Sequence, residues 1–334
     1  MSALALVDLR FSLLNDWQRD FPIVATPFAT IGAACGVESE SVIDAYRELL
    51  GDGAISRIGG VWGAGAAGAA LLCAFAVPAE RLEAVAAIVS AHPGVNHNYE
   101  REHRHNLWFV VTGHDATVVD ESVDTLETQT GCRALRLRMR RAYRIDLGFD
   151  LRDPMAARCR ASAQRVCRVQ PADEPLAALL ENGLPLVAKP YQAWADALRL
   201  RTEHVLGVLE RWFREGTLRR FGVIVRHHEA GFHHNAMTVF DVPDDVVDAC
   251  GERLAGARGV TLAYRRERAE GWPYNLYCMV HGRDRAEVET AIAAAIARSG
   301  LQARSHAVLF GRRRFKQAGA RYFRPRHVAE ASDA

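Results

Sequence analysis

A short polar block in the first half of the chain combines residue types that could move a proton beside an anion. It spans residues 98–103 (NYEREH) and ends a predicted β-strand. Alternation along the strand places Tyr99, Arg101 and His103 on one face. A guanidinium binds a carboxylate through a bidentate fork, and a phenol or imidazole can act as a general acid. We predict that Arg101 binds a carboxylate and that His103 or Tyr99 donates the proton. The alternative is a solvated sheet edge.

The second half of the chain repeats part of this block and adds histidines. Tyr264 and Arg266 repeat the Tyr-x-Arg spacing, and we predict that both contact the substrate. A further block, Arg226-His227-His228, belongs to a cluster with four histidines in the eight positions 227–234. Neighbouring strand residues face opposite ways, so at most one of the first two histidines enters a site. We predict His227 as a catalytic group and Arg226 and His228 as substrate contacts. A polar loop is the alternative.

Aromatic and amide side chains supply further candidate contacts. Trp272 and Tyr274 flank a proline and could form a flat apolar wall of a binding site, or a turn packed on the core. Asn106 and Asn275 begin matching strands and could bind substrate or cap the chain locally. Trp108 completes the predicted set of substrate contacts.

The chain contains two copies of one unit. Residues 21–24 (FPIV) recur as 184–187 (LPLV), an offset of 163, and residues 55–59 align with 218–222 at the same offset. The offset becomes 165 where Tyr99 aligns with Tyr264 and 169 where Asn106 aligns with Asn275. Such long blocks of constant offset indicate duplication with short loop insertions.

Each copy predicts the same order of elements. Helical patterns and a β-hairpin-like wing over 54–62, with Gly59-Gly60 at its turn, indicate a winged helix-turn-helix, and strand and helix patterns in the order βαββαβ indicate a ferredoxin-like domain. The predicted fold class is α+β. The predicted units are a winged helix-turn-helix at 1–63, a ferredoxin-like domain at 64–147, a linker at 148–174, a second winged helix-turn-helix at 175–231, a second ferredoxin-like domain at 232–315 and a basic tail at 316–334.

Composition and charge narrow the classes of protein. Hydrophobic residues make up 49% of 334 residues and the formal net charge is +2, so no global field attracts nucleic acid. No apolar run is long enough to span a bilayer and no export signal is visible, so we expect a cytoplasmic protein without membrane partners. The seven cysteines lack any C-x-x-C pair, so we expect reduced thiols and no protein-bound metal. The basic run 312–316 (RRRFK) is interpreted as part of a solvated tail, although it could also bind nucleic acid or propionates.

The order of elements resembles the AsnC/Lrp family of transcription regulators, and the polar blocks resemble siroheme decarboxylases of the haem d1 pathway. Residues 98–109, 219–228 and 272–277 (WPYNLY) carry the second resemblance, which joins both subunit types of those enzymes in one chain. It implies removal of CO₂ from two acetate side chains of siroheme. With siroheme as substrate, His227 or His228 could be the axial ligand of its iron, and the aromatic wall at Trp272 and Tyr274 could contact its macrocycle. This resemblance also implies that the sheets of the two halves pair within the chain and that the pocket lies between them. No separate cofactor is expected, because the iron arrives with the substrate. Two chains could in addition form a homodimer.

Two other functions stay open. A DNA-binding regulator would need cationic recognition helices, but residues 39–50 carry three acidic residues against Arg47 alone, and residues 202–215 carry Glu203, Glu210 and Glu215 against two arginines. Acidic helices are repelled by phosphates, so the sequence argues against DNA binding. A non-catalytic tetrapyrrole carrier would bind siroheme without releasing CO₂.

Overall fold

A computed structural model describes residues 3–145, 151–152, 166–226 and 234–323, with side chains from residue 9 onward. Within these ranges the α-helices are α1 Ala3–Asn15, α2 Pro27–Cys35, α3 Ser39–Gly51, α4 Leu82–Ala91, α5 Ala116–Thr130, α6 Glu174–Asn182, α7 Pro190–Leu198, α8 Thr202–Arg214, α9 Val247–Ala255 and α10 Arg285–Ser299. The β-strands are β1 Ile55–Trp62, β2 Ala69–Phe75, β3 Val95–Arg101, β4 Leu107–Gly113, β5 Leu135–Ile145, β6 Leu218–Val225, β7 His234–Phe240, β8 Val260–Arg266, β9 Leu276–Gly282 and β10 His306–Gln317. No helix of the described residues is both long and apolar enough to cross a membrane.

The elements repeat as the internal alignment predicts. Proline opens the second helix of each copy, at Pro27 and Pro190, where its missing N–H costs no helical bond. Gly36 ends α2 in the left-handed conformation, which glycine adopts without strain. The fold class is therefore confirmed: two helix-turn-helix units and two βαββαβ units follow one another in the chain.

The predicted wing is wrong in its pairing. Residues 54–62 do not fold back as a hairpin; β1 is one continuous strand that pairs antiparallel with β6 of the other copy, with Gly59 opposite Gly222. We call this pair the ribbon. Its aromatic and aliphatic side chains share one core with helices of both copies. Burial of these side chains in the shared core favours the pairing of β1 with β6 over a hairpin within one copy.

The eight remaining strands close into a barrel in the described part of the chain. Each copy contributes the ferredoxin-like order β5-β2-β4-β3 or β10-β7-β9-β8, and the two sheets join at both edges. One junction pairs β5 with β8 and the other pairs β10 with β3. Helices α4 and α5 cover the outer face of one sheet, and α9 and α10 cover that of the other. Edge pairing of the two copies thus provides hydrogen-bond partners for backbone N–H and C=O groups that would otherwise be unpaired at the sheet edges.

The basic run is not a solvated tail. β10 continues through Arg312, Arg313 and Arg314 to Gln317, because residues 311–317 pair with β3. The guanidinium of Arg313 bonds to the buried carboxylate of Glu100 at 2.5 Å. Tyr322 and Phe323 then pack against the core that the ribbon shares with the helices. The described part of the predicted tail is therefore integrated into the fold.

Candidate functional site

The predicted polar strand faces the inside of the barrel. Asn98 donates to the carbonyl of Ala86 on α4 at 3.1 Å, which places this alternate residue of β3 on the helix-covered face. Tyr99 and Arg101 lie on the opposite face, with the guanidinium 5.7 Å from the ring centroid. The predicted alternation is therefore confirmed for Tyr99 and Arg101, but it does not extend to His103, because β3 ends at Arg101 and the N–H of His103 bonds to the carbonyl of Arg101 in a turn.

The barrel interior keeps accessible space. Its inward side chains His97, Tyr99, Tyr264 and Arg266 are half-buried, so each keeps some accessible surface. An eight-stranded barrel is wide enough either to be filled by side chains or to hold a ligand. The inward residues with chemistry are therefore only partly covered by their neighbours.

Arg101 lies deep in this interior without an acidic partner among the described residues. Its Nη1 donates to the carbonyl oxygen of Leu309 at 3.1 Å and to Oδ1 of Asn235 at 3.2 Å. Burial lowers the pKa of Arg101 to about 10, so the group remains charged at neutral pH. A buried cation held by neutral acceptors alone retains a strong preference for an anion.

Arg266 is the counterpart of Arg101 in the second copy. Its Nη1 donates to the carbonyl of Leu137 at 2.9 Å, and its guanidinium lies 5.2 Å from the ring centroid of Tyr264 and 5.8 Å from that of Tyr277. Its buried Nε has no hydrogen-bond partner, and no acidic side chain of the described ranges bonds to the guanidinium. Burial lowers the pKa of Arg266 and raises that of Tyr264 to about 12. The interior thus offers a second cationic group.

The sequence analysis did not identify two imidazoles inside the barrel, those of His97 and His281. His97 stacks on Tyr99 at 6.1 Å, and Nδ1 of His281 lies 3.0 Å from Oγ1 of Thr261. Burial lowers the pKa of both histidines to about 4, so both are neutral at physiological pH. The available signal was the strand alternation itself, which places His97 on the face of Tyr99 and Arg101.

One end of the barrel is packed around Trp272. This indole is 2% exposed and donates to the hydroxyl of Tyr277 at 2.7 Å, and Trp108 lies 5.3 Å from it. The predicted aromatic wall is therefore wrong for Trp272, and Trp108, predicted as a substrate contact, is likewise buried, because the two rings pack in the core. Tyr274 covers Trp272 at 4.9 Å and is half-buried.

His103 lies on the rim of this packed end. Its ring is 5.3 Å from Trp272, and its Nδ1 accepts the backbone N–H of His105 at 3.0 Å. That bond leaves the proton of the neutral ring on Nε2. Burial and the charge of Arg104 lower the pKa of His103.

The two asparagines are structural. Asn106 exchanges two bonds with the backbone of Val77, both at 2.9 Å, and Asn275 does the same with Val242 at 3.0 and 2.8 Å. These paired bonds turn both amides toward the backbone of the preceding strand end. The predicted substrate contacts of Asn106 and Asn275 are therefore corrected to local caps that hold the start of matching strands.

The remaining candidates lie elsewhere. Arg226 follows β6, and its backbone N–H bonds to the carbonyl of Ala54 at 2.9 Å, at the end of the ribbon opposite Trp62. The structure therefore does not place Arg226 with the barrel groups. His227 and His228, including their predicted role as iron ligands, lie outside the described residues.

Comparison with known proteins identifies the family. A model described as an AsnC-like ligand binding domain matches residues 66–144 and 229–316, and one described as a siroheme decarboxylase NirDL-like HTH domain matches residues 12–55 and 173–219. The siroheme decarboxylase NirDL subunit of Paracoccus denitrificans (strain Pd 1222) is 40% identical over 314 residues, covering 94% of this chain and 97% of the relative.

Two further similarities agree with this match. The siroheme decarboxylase NirL subunit of Stutzerimonas stutzeri is 49% identical over 148 residues, which are 44% of this chain and 87% of that subunit. A crystal structure of the siroheme decarboxylase NirDL in co-complex with an iron-uroporphyrin III analogue superposes with a TM-score of 0.68 at 27% identity, covering 96% of this chain and 95% of that one. The chain therefore belongs to the siroheme decarboxylase family.

Proposed function

We propose that this protein removes CO₂ from two acetate side chains of siroheme and yields 12,18-didecarboxysiroheme, a step of haem d1 biosynthesis. The observation that carries the proposal is the pair Arg101 and Arg266, a buried and a half-buried guanidinium inside one barrel, both without an acidic partner in the described ranges. Siroheme carries eight carboxylates, and a desolvated guanidinium–carboxylate pair compensates the burial cost of both ions.

The arginines hold the spectator carboxylates and orient the macrocycle. When CO₂ leaves, the electron pair of the broken C–C bond passes into the tetrapyrrole, and a proton must then reach the new CH₂ carbon. The iron belongs to the substrate, so the reaction requires no separate cofactor. The side chains around the interior therefore have two tasks, which are binding anions and delivering the proton.

Of the two predicted proton donors, Tyr99 and His103, Tyr99 is the one that holds an acidic proton at neutral pH. Burial raises the pKa of Tyr99, so its phenol keeps the proton at neutral pH, whereas the lowered pKa of His103 leaves that ring neutral. A neutral His103 still presents an Nε2–H that can donate a hydrogen bond to a carboxylate. Arrival of a polyanion raises the pKa of a nearby imidazole, which would make His103 a donor in the complex.

Anaerobic incubation of the purified protein with siroheme, followed by mass analysis, tests the proposal. The expected product has lost two CO₂ units. If siroheme binds, as its Soret band would show, but keeps its mass, the protein is a carrier and the proposal is refuted. Retention of duplex DNA with a steep salt dependence would instead favour a regulator.

A further inference from the structure

The C-terminal segment 318–323 crosses from the barrel to the ribbon. β10 ends with Gln317 opposite His97, and the N–H of Ala318 donates to the carbonyl of Asn96 at 2.8 Å. The segment then passes directly against Arg57 of β1, because a Cβ added to Gly319 would lie 2.2 Å from the guanidinium. Its path thus runs over the end of the barrel at which β3 begins.

A buried carboxylate clamps this segment. Glu181 of α6 is 5% exposed and accepts the N–H of Tyr322 at 3.0 Å and that of Phe323 at 3.3 Å. It also accepts the indole N–H of Trp62 at 3.2 Å, and the ring of Phe323 packs on Trp62 at 5.9 Å. One side chain of the second copy therefore fixes the segment to the ribbon strand of the first copy.

The side chain of Tyr322 turns toward the barrel. Its ring lies against Gly68 at the start of β2, where an added Cβ would be 2.8 Å from Cδ1. Strand β5 pairs its Arg138 with Leu71 of β2 and, further along in the direction of the start of β2, its Ala142 with Tyr264. Tyr264, the neighbour of Arg266, therefore lies toward the same end of the barrel as Gly68. Burial raises the pKa of Tyr322 to about 12, and Glu181 and Tyr264 add to this rise. The phenol therefore stays protonated at neutral pH and remains half-buried, with surface left to contact a ligand.

We infer that segment 318–323 forms one wall of the substrate site and that Tyr322 donates a hydrogen bond to a substrate carboxylate on the Arg266 side. Glu181 is the positioning residue, because it fixes the backbone of Tyr322 and contacts no substrate itself. The inference rests on the proposed function and adds a second element to it: the site is completed by a segment that follows the last strand.

The test compares Tyr322→Phe and Glu181→Gln with Tyr46→Phe, a matched change of a buried tyrosine in the helical core of the first copy. Loss of one hydrogen bond to a charged group predicts a rise in KM of about 10- to 100-fold for Tyr322→Phe, with kcat within about twofold and an unchanged thermal midpoint. Tyr46→Phe keeps the wild-type KM. Since Glu181 acts through Tyr322, the double variant has the KM of the more affected single variant and not the product of the two effects.

A wild-type KM for Tyr322→Phe overturns the inference, and so do effects that simply multiply in the double variant. If the wild-type protein releases no CO₂, the proposed function itself fails. Titration of the siroheme Soret band then decides the inference separately: weaker binding by Tyr322→Phe supports a contact with the tetrapyrrole, and equal binding removes it.

Discussion

Arg101 and Arg266 occupy equivalent positions in the two copies but have different neighbours. Arg101 bonds to Asn235, whereas the position that corresponds to Asn235 in the first copy is Ala70. The residues that correspond to His97 and His281 are Leu262 and Thr112. The polar groups of the interior are therefore concentrated around Arg101, and the two halves of the barrel are chemically unequal.

Substitution of Arg101 tests its role as an anion ligand. We expect Arg101→Ala to lower kcat/KM by about 10- to 100-fold, the range for one lost charge-assisted bond, and Arg101→Lys to recover only part because an ammonium cannot form the bidentate fork. Arg136→Ala is the matched control, since Arg136 bonds to Asp124 and Glu127 on the outer face of β5. Steady-state assays of CO₂ release distinguish these outcomes, and full activity of Arg101→Ala would refute the assignment.

The buried imidazoles make stability depend on pH. The folded-state pKa of His97 is about 4, against about 6.5 in an unfolded chain, so the unfolded state binds more protons between these values. The contribution of the neutral His97 to the free energy of unfolding is therefore fully present well above pH 6.5 and is lost as the pH falls toward 4. Between pH 7 and pH 5 the loss is about 2 kcal/mol from His97.

Replacing His97 with leucine, which the second copy carries at this position as Leu262, should remove that part of the pH dependence. Urea unfolding at pH 7 and pH 5 measures it. We expect the stability difference between the two pH values to shrink by about 2 kcal/mol in His97→Leu. An undiminished difference would show that His97 is not buried and neutral in the folded protein.

At the scale of elements, the ribbon depends on glycines that admit neighbouring backbone. The N–H of Val223 donates to the carbonyl of Trp17 at 2.9 Å, so the chain after α1 lies along β6. A Cβ on Gly222 would lie 2.5 Å from the carbonyl oxygens of Trp17 and Gln18. Those backbone atoms cannot rotate away as a side-chain end could, which explains glycine at this position in an extended strand.

Gly222→Ala should therefore destabilise the protein by about 2 kcal/mol or more through overpacking. Gly207→Ala in α8 is the control, because an added Cβ there meets nothing within 4 Å and alanine favours a helix by about 0.5–1 kcal/mol. Thermal and denaturant unfolding compare the two. Equal stabilities would contradict the close backbone approach.

The element pattern was largely readable from the sequence. The period of the apolar residues and the offset of 163 predicted α2 and α3 and their counterparts, and extended structure over 54–62, since these follow from local geometry. The partner of β1 was not readable, because the same alternating strand serves a hairpin or a pairing between copies. Only burial of both strands in one shared core decides between the two.

At the scale of the whole molecule, the barrel exists only when both copies are present. Among the described residues three strand pairs join the copies: β1 with β6, β5 with β8, and β3 with β10. A separate copy would expose two sheet edges and an unpaired ribbon strand. The fusion thus supplies at high effective concentration the partner that a single copy would require.

A chain interrupted between residues 152 and 166 should still assemble. We expect fragments 1–152 and 166–334, produced together, to co-purify as a one-to-one complex that releases CO₂ from siroheme. Each fragment alone should aggregate or self-associate through its exposed edges. Size-exclusion chromatography of the separate and mixed fragments tests this, and stable monomeric fragments that ignore each other would contradict it.

The sequence by itself determined the duplication, the order of elements in each copy, and the face of β3 that carries Tyr99 and Arg101, because internal offsets and strand alternation are local properties of the chain. Only the tertiary structure decided that β1 pairs across the copies, that Asn106 and Asn275 cap strands, that Trp108 and Trp272 are buried, and that Tyr322 reaches the barrel. Those outcomes depend on which distant surfaces become buried together and which polar groups they leave to be satisfied, and a one-dimensional pattern carries no information about that choice.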